Sequence, residues 1–196
     1  MSVLLVVRKN GRAAIACDSQ TTIGDLKVTA AHKQQPNKIH RIPHGFISTV
    51  GWAAFDNVLG SVLREFPDIF TFNDAAGLYD GLMRLHATLR KHYFFEAHED
   101  RDQPVESSQM DGLIAHRSGI YSFTSYRHLN AYTQYWAMGS GRDYALGALH
   151  SLYPRYKSAE AIARQAAEAA CAFDCNCGTP VFVHSVRCTG EDSMAP

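Results

Sequence analysis

Residues 3–7, Val-Leu-Leu-Val-Val, form an unbroken apolar run of five, with Arg8-Lys9 after it and Asn10-Gly11 beyond. A run this short without alternation suits a strand buried on both faces, and Asn-Gly is the strongest short hairpin signal. Ala13 to Cys17 is then the returning strand, so the chain opens with a β-hairpin whose first strand needs cover above and below. The charge order is the reverse of a secretory signal, in which the cations precede the apolar stretch.

The periodicity changes several times along the chain. Asp18 to Asn37, with Gly24 and Pro36, reads as an irregular excursion. Lys38–Ile42 and Phe46–Val50 read as a second hairpin around Pro43-His44-Gly45, so four strands precede any helix. Phe55, Val58, Leu59, Val62, Leu63 and Phe66 then recur at helical spacing, and Leu78, Leu82, Leu85, Leu89 and Tyr93 mark one face of a second helix. Residues 96–109 are acidic and loop-like. Gly112–His116 and Ile120–Thr124 pair across Arg117-Ser118-Gly119 and begin a second sheet. Tyr135–Met138 is another strand, ending at Gly139-Ser140-Gly141, and helices follow at about 142–152 and 158–173. Pro180–Val186 is the last strand. Strands, two helices, strands, two helices and a strand make an α+β chain, best satisfied by two antiparallel sheets sandwiched between helix pairs. A single domain over 1–188 with a tail at 189–196 accounts for all 196 residues.

Composition narrows the function. Lys+Arg and Asp+Glu both number 19, so the formal net charge is zero and no nucleic-acid or anionic-membrane partner is indicated. No window approaches the roughly 20 apolar residues of a membrane-spanning helix, which suits a soluble, cytoplasmic protein. The five cysteines are odd in number, with Cys171, Cys175 and Cys177 crowded together, which argues against a disulfide framework; their spacing is not that of a zinc ribbon, so no metal or other cofactor is expected. Gly139-Ser140-Gly141 lacks the lysine and the glycine spacing of a phosphate loop.

Ser2, a common second residue in any chain, is also a candidate nucleophile. A small second residue permits removal of Met1, leaving a hydroxyl nucleophile and a free α-amine on one residue, and an α-amine titrates near neutral pH. Asp18 ends the strand that returns beside Ser2, and Lys38 opens the next. A cation there favours a developing alkoxide, and a carboxylate holds the cation in place. Deleting the side chain of Ser2 or Lys38 is expected to remove chemistry without disturbing the fold.

Several separated segments match one family in order. Ser2 with Val3–Val7, Arg8-Lys9-Asn10-Gly11, Ala16-Cys17-Asp18-Ser19-Gln20, Lys38-Ile39-His40-Arg41-Ile42, Thr49-Val50-Gly51, Gly139-Ser140-Gly141 with Tyr144-Ala145-Leu146, and Asp174 to Gly178 together resemble the proteasome β-subunit and the bacterial HslV peptidase. The resemblance implies an N-terminal-nucleophile hydrolase with a four-layer αββα sandwich. It implies a catalytic group of Ser2, Asp18, Lys38, Gly51 as oxyanion donor, and Ser140, Asp174 and Cys177 around the α-amine. It also implies substrate contacts at Thr22, Thr49, Val50 and Ala53. Peptides or unfolded proteins would be the substrate, a homo-oligomeric ring the assembly, and an ATPase unfoldase the partner that feeds it. Three features depart from the family: serine stands where threonine is usual, Cys177 where serine is frequent, and the segment from Asp18 to Lys38 is longer. A small-amide hydrolase of the same superfamily, or a catalytically silent ring scaffold or binding subunit, accommodates the same residues.

Overall fold

The computed structural model describes residues 2–98 and 102–189. In chain order they form β1 (Val3–Lys9), β2 (Arg12–Cys17), β3 (Thr21–Ile23), β4 (Leu26–Val28), β5 (His40–Ile42) and β6 (Gly45–Val50), then α1 (Ala53–Glu65) and α2 (Ala75–His92). β7 (Asp111–His116), β8 (Gly119–Phe123), β9 (Leu129–Tyr132) and β10 (Tyr135–Gly139) follow, then α3 (Arg142–Leu152), α4 (Ala159–Phe173) and β11 (Phe182–Arg187). The order β10-β1-β2-β11 makes one antiparallel sheet and β5-β6-β7-β8-β9 another, with β3 and β4 as a separate ribbon.

The apolar run at the start is central in its sheet, and alternation sends its side chains into different cores. Val3, Leu5 and Val7 pack with Ala14 and Ala16 against α3 and α4, where Ile162, Ala163, Ala166, Ala167 and Ala170 form a mostly small-residue face that lets helix and sheet approach closely. Leu4 and Val6 point the other way, joining Ile15 and Cys17 against Leu113, Ala115 and Ile120 of the second sheet. The opposite face of that second sheet, with Ile47, Ile114 and Phe123, is covered by Leu59 and Val62 of α1 and by Leu78, Leu82, Leu85 and Leu89 of α2. No helix among the described residues is long and apolar enough to cross a membrane.

Helix ends follow local chemistry. Asp74 accepts from the Gly77 N–H (2.8 Å) at the start of α2, and Ser158 from the Ala161 N–H (3.1 Å) at the start of α4, each satisfying a donor the helix leaves over. Asn10 and Gly11 adopt φ of 49° and 70°, as a tight two-residue hairpin turn demands. In the long connection after α2, His86 meets Ser108 (3.0 Å) and Glu106 (2.9 Å), which tethers the loop to the helix.

Several expectations are corrected. Residues 18–37 are not wholly irregular: Thr21–Ile23 and Leu26–Val28 pair across Gly24 and Asp25, with Gly24 at φ 57°, and a short 3-10 helix follows at Ala30–His32, so among the described residues six strands precede the first α-helix. The second sheet begins at His40, before the helices, because β6 pairs with β7 across the whole helical excursion. Lys38 lies two residues before its strand, since side chains satisfy the backbone there: Ser48 Oγ donates to the Lys38 carbonyl (2.8 Å) and Ile39 N–H to Asn37 Oδ1 (3.0 Å). The strand β9 escaped the pattern, and Tyr93 caps α2 from outside it. Residues 190–196, most of the expected tail, lie outside the described residues.

His116, fully buried at the end of β7, accepts the Ser118 N–H at Nδ1 (3.1 Å), while among the described residues its Nε2 has no hydrogen-bond partner. Burial, helped by Arg117 and His44, pushes its pKa down to about 4. The folded state therefore binds this proton less well than the unfolded chain, so the stability it confers is complete above pH 6.5 and is lost as pH falls towards 4. Urea denaturation between pH 7 and 4 should show that loss, on the order of 1–3 kcal/mol, and His116→Phe, whose ring suits the contact with Phe72, should flatten it.

Candidate active site

The register of the first hairpin places the site. Leu4 stands opposite Cys17, so Asp18 comes to lie beside Val3, one residue from Ser2. The Asp18 N–H donates to the Val3 carbonyl (3.2 Å), and the Val3 N–H returns a bond to Asp18 Oδ1 (3.3 Å). The Asp18 side chain is wholly buried, and its second oxygen accepts from the N–H groups of Gln20 (2.9 Å) and Gly178 (3.2 Å). A carboxylate without water persists only with such a set of donors and a cation nearby.

Lys38 supplies the cation. Its Nζ donates to Asp18 Oδ1 (2.9 Å), to the Gln20 carbonyl (2.6 Å) and to Ser2 Oγ (2.9 Å). Three donated bonds use all three hydrogens of an ammonium, which then has no lone pair to offer as a base. The arrangement can stabilise negative charge on Ser2 Oγ. It also alters one expectation: with Asp18 wholly buried, Lys38 has a structural part in the fold, which its loss would disturb.

The backbone of Ser2 is held from the opposite side. Its carbonyl accepts from the Gly141 N–H (3.3 Å) and from Ser140 Oγ (3.4 Å). Behind them, Cys177 Sγ donates to Asp174 Oδ2 (3.1 Å), and Asn176 donates to Oδ1 through its N–H (3.0 Å) and its amide nitrogen (3.3 Å). Burial raises the Asp174 carboxyl, but bonds from Ser140, Asn176 and Cys177 outweigh it and hold the group below the usual carboxylate range. Burial first, and then the bond to Asp174, push the Cys177 thiol well up, so it remains a neutral S–H donor. A thiol in that state does at this position what a serine hydroxyl would do.

Ser2 and Lys38 open onto a cleft that Thr22, Thr49, Val50, Gly51 and Ala53 also line, so the sequence-derived substrate residues gather at one place. Gly51, at φ 110°, turns β6 into α1 through a conformation that favours glycine. Gln20, Gly178, Lys33, Trp52 and Asp56 were not anticipated. Gln20 carried a readable signal, since an aspartate accepting from the N–H two residues on is an ordinary turn device. The others meet the site only through the tertiary fold.

No protein-family model matches the sequence, and no curated protein does either; the likeness appears in three-dimensional structure. A bacterial proteasome homologue, Thiobacillus denitrificans BPH, superposes with a TM-score of 0.88 at 30% identity, covering 96% of this chain and all of its own. The same protein solved in complex with epoxomicin gives 0.87 at 31% identity over 96% and 100% of the two chains. The eukaryotic HslV of Trypanosoma brucei, at 21% identity over 94% and 99%, shares the fold with a TM-score of 0.65. The chain belongs to the proteasome-like, HslV-like family.

Gly139 has little room for a side chain. It has φ 94°, and a Cβ there would stand 2.1 Å from the Ser2 carbonyl oxygen. Gly139→Ala must displace either the turn or Ser2, so a loss of at least about 1–3 kcal/mol is expected in thermal denaturation. The same substitution at Gly147, where a Cβ meets nothing within 4 Å, should be close to neutral or stabilising.

Proposed function

We propose that this protein is a self-compartmentalising peptidase whose nucleophile is Ser2 after removal of Met1, a residue that lies outside those described. The observation that carries the reading is Lys38 Nζ at 2.9 Å from both Ser2 Oγ and Asp18 Oδ1, at the mouth of a cleft bounded by Gly51. The relative solved with epoxomicin supports it. The proposed fold is the four-layer αββα sandwich, in keeping with three apolar cores lying between successive layers.

In this mechanism Ser2 Oγ attacks the scissile carbonyl carbon while its proton passes to the α-amine, directly or through a water. The C–O bond forms, the C–N bond breaks, and the proton goes to the leaving amine. The backbone N–H of Gly51 stabilises the oxyanion, and Lys38 stabilises the developing alkoxide. Water then hydrolyses the ester and regenerates Ser2. The α-amine is the base in this reading, with Lys38 donating to Ser2 Oγ. Ser140, Asp174 and Cys177 position that amine, and Thr22, Thr49, Val50 and Ala53 contact substrate. Serine lacks the γ-methyl that restrains threonine at χ1, so turnover is slower than a threonine would give.

The test uses a fusion whose N-terminal extension a specific protease removes to expose Ser2. The uncut fusion, in which the Ser2 nitrogen is an amide, should neither cleave fluorogenic peptides nor react with a peptide epoxyketone, and cutting should start both. Ser2→Ala should abolish both and leave the fold intact. Lys38→Ala should abolish both and also lower stability, by about 3–5 kcal/mol, because it strands the buried Asp18 charge. Equal peptide hydrolysis before and after cutting would sink the mechanism.

The assembly proposed is a closed homomeric ring. Phe94, beyond α2, is 95% exposed, and Tyr144 and Phe173 of α3 and α4 stack at 5.6 Å, separate apolar surfaces that neighbouring subunits can cover. Sedimentation velocity at micromolar concentration should show a discrete oligomer; monomer alone contradicts it.

A further inference from the structure

Lys38 is held at its backbone as well as at its ammonium. It forms the corner of a turn in which Asn37 Oδ1 accepts the Ile39 N–H (3.0 Å), while its own carbonyl accepts from Ser48 Oγ (2.8 Å). The other end of the Asn37 amide reaches β11 of the first sheet, with Nδ2 at 3.0 Å from His184 Nε2. The His184 ring is stacked on Phe46 of β6, centroids 4.8 Å apart and planes at 29°, which gives it a fixed seat against the second sheet.

This pattern of bonds determines the protonation state of the histidine. A backbone N–H can only donate, so the Asn37 atom facing Ile39 is the amide oxygen, and the atom facing His184 is the NH2 donor. His184 Nε2 must then accept, which requires a neutral ring with its hydrogen on Nδ1. With Nε2 protonated, two donors would face each other. Partial burial favours the neutral ring and lowers its pKa from the ordinary 6.5. The groups on the surrounding elements do not oppose this. On β2, Cys17 is a neutral thiol, its pKa pushed up to about 12 by burial, and Asp18 beyond it is matched by Lys38. On β5, Arg41 stands opposite Phe46 and adds a positive charge, while His40 turns to Asp56 of α1. On β7, Asp111 accepts the Ser125 N–H and His116 lies against Phe72. Glu160 of α4 meets the other face of the sheet, where it binds Arg12 and Ser185.

We infer that His184 is a proton-sensitive positioning residue for Lys38: the neutral ring fixes the Asn37 amide that spans the lysine, and the protonated ring releases it and lets the lysine shift away from Ser2. The ordered turn belongs to the neutral ring. It is therefore complete above pH 6.5 and is lost as pH falls through the lower value of the folded protein. The effect on cleavage rests on the peptidase reading above, whereas the state of the ring and the order of the turn do not.

Nitrogen NMR of the histidine rings, with the His184 signal identified by its loss in His184→Gln, should show a neutral ring protonated at Nδ1 at about pH 7.5. Amide exchange at Ile39, taken relative to the intrinsic rate at each pH, should lose about tenfold of its protection as that signal titrates, the scale of one hydrogen bond. His184→Gln offers an amide oxygen that accepts and does not titrate, so it should keep the protection down to about pH 5. That variant retains His116, so general weakening by acid is separated from the switch. Asn37→Ala should lose the protection at every pH. With Ser2 exposed, kcat for a fluorogenic peptide should fall with the same titration while KM changes little, and His184→Gln should lack that step. A neutral ring with its hydrogen on Nε2, Ile39 protection that ignores the titration, or kcat of an active protein that ignores it overturns the inference. Cleavage with protection unmoved keeps the peptidase and removes the inference. No cleavage of any peptide removes the peptidase reading, and the ring and exchange measurements then decide the inference by themselves.

Discussion

A carboxylate with no access to water sits where four stretches of chain meet. Asp18 is bound by the N–H of Val3 in β1, the N–H of Gln20, the N–H of Gly178 beyond α4, and the ammonium of Lys38 before β5. Burying such a charge is costly, and the cost is offset only when every donor is in place. The first sheet, the entry to the second sheet and the turn after α4 are therefore tied to one another through a single side chain. The cation that completes the set also reaches Ser2, so the interaction that closes the structure aims the proposed chemistry.

Ser2 is thereby held from two directions that do different things. Lys38 addresses its hydroxyl, whereas Gly141 and Ser140 hold its carbonyl. The closeness of the second contact leaves no room for a side chain at Gly139, which explains a glycine at the end of β10. Behind it, Cys177 and Asp174 show how a departure from the family pattern is absorbed. Because burial keeps the thiol protonated, it donates to the carboxylate as a hydroxyl would. Placing Ser2 at the end of a strand hydrogen-bonded on both sides gives it a rigid base, which a site requiring close geometry needs.

Much of this was legible in order along the chain. The strand at Val3–Val7, the Asn10-Gly11 turn, the helices and the nearness of Ser2 and Asp18 follow from period, turn chemistry and hairpin register, which are local properties, whereas the place of Lys38 beside them was implied by the family resemblance. The ribbon at 21–28 was missed because its strands are three residues long and largely exposed, leaving no apolar alternation to read. The sheet boundary was misplaced for another reason: β6 finds β7 some 60 residues on, a pairing no local signal encodes.

By itself the sequence determined which residues could act, since the hydroxyl at position 2, the carboxylate at 18 and the amine at 38 are fixed by identity, and a two-residue turn brings the first two together. Only the tertiary structure decided how they are used. Burial made Asp18 depend on Lys38, the packing of α4 made Cys177 a neutral donor, and the turn from β6 into α1 carried Trp52 and Asp56 to the wall of the cleft. The physical reason is that charge state and hydrogen-bond partners depend on the distance and dielectric that surrounding segments impose, and those segments are remote in sequence.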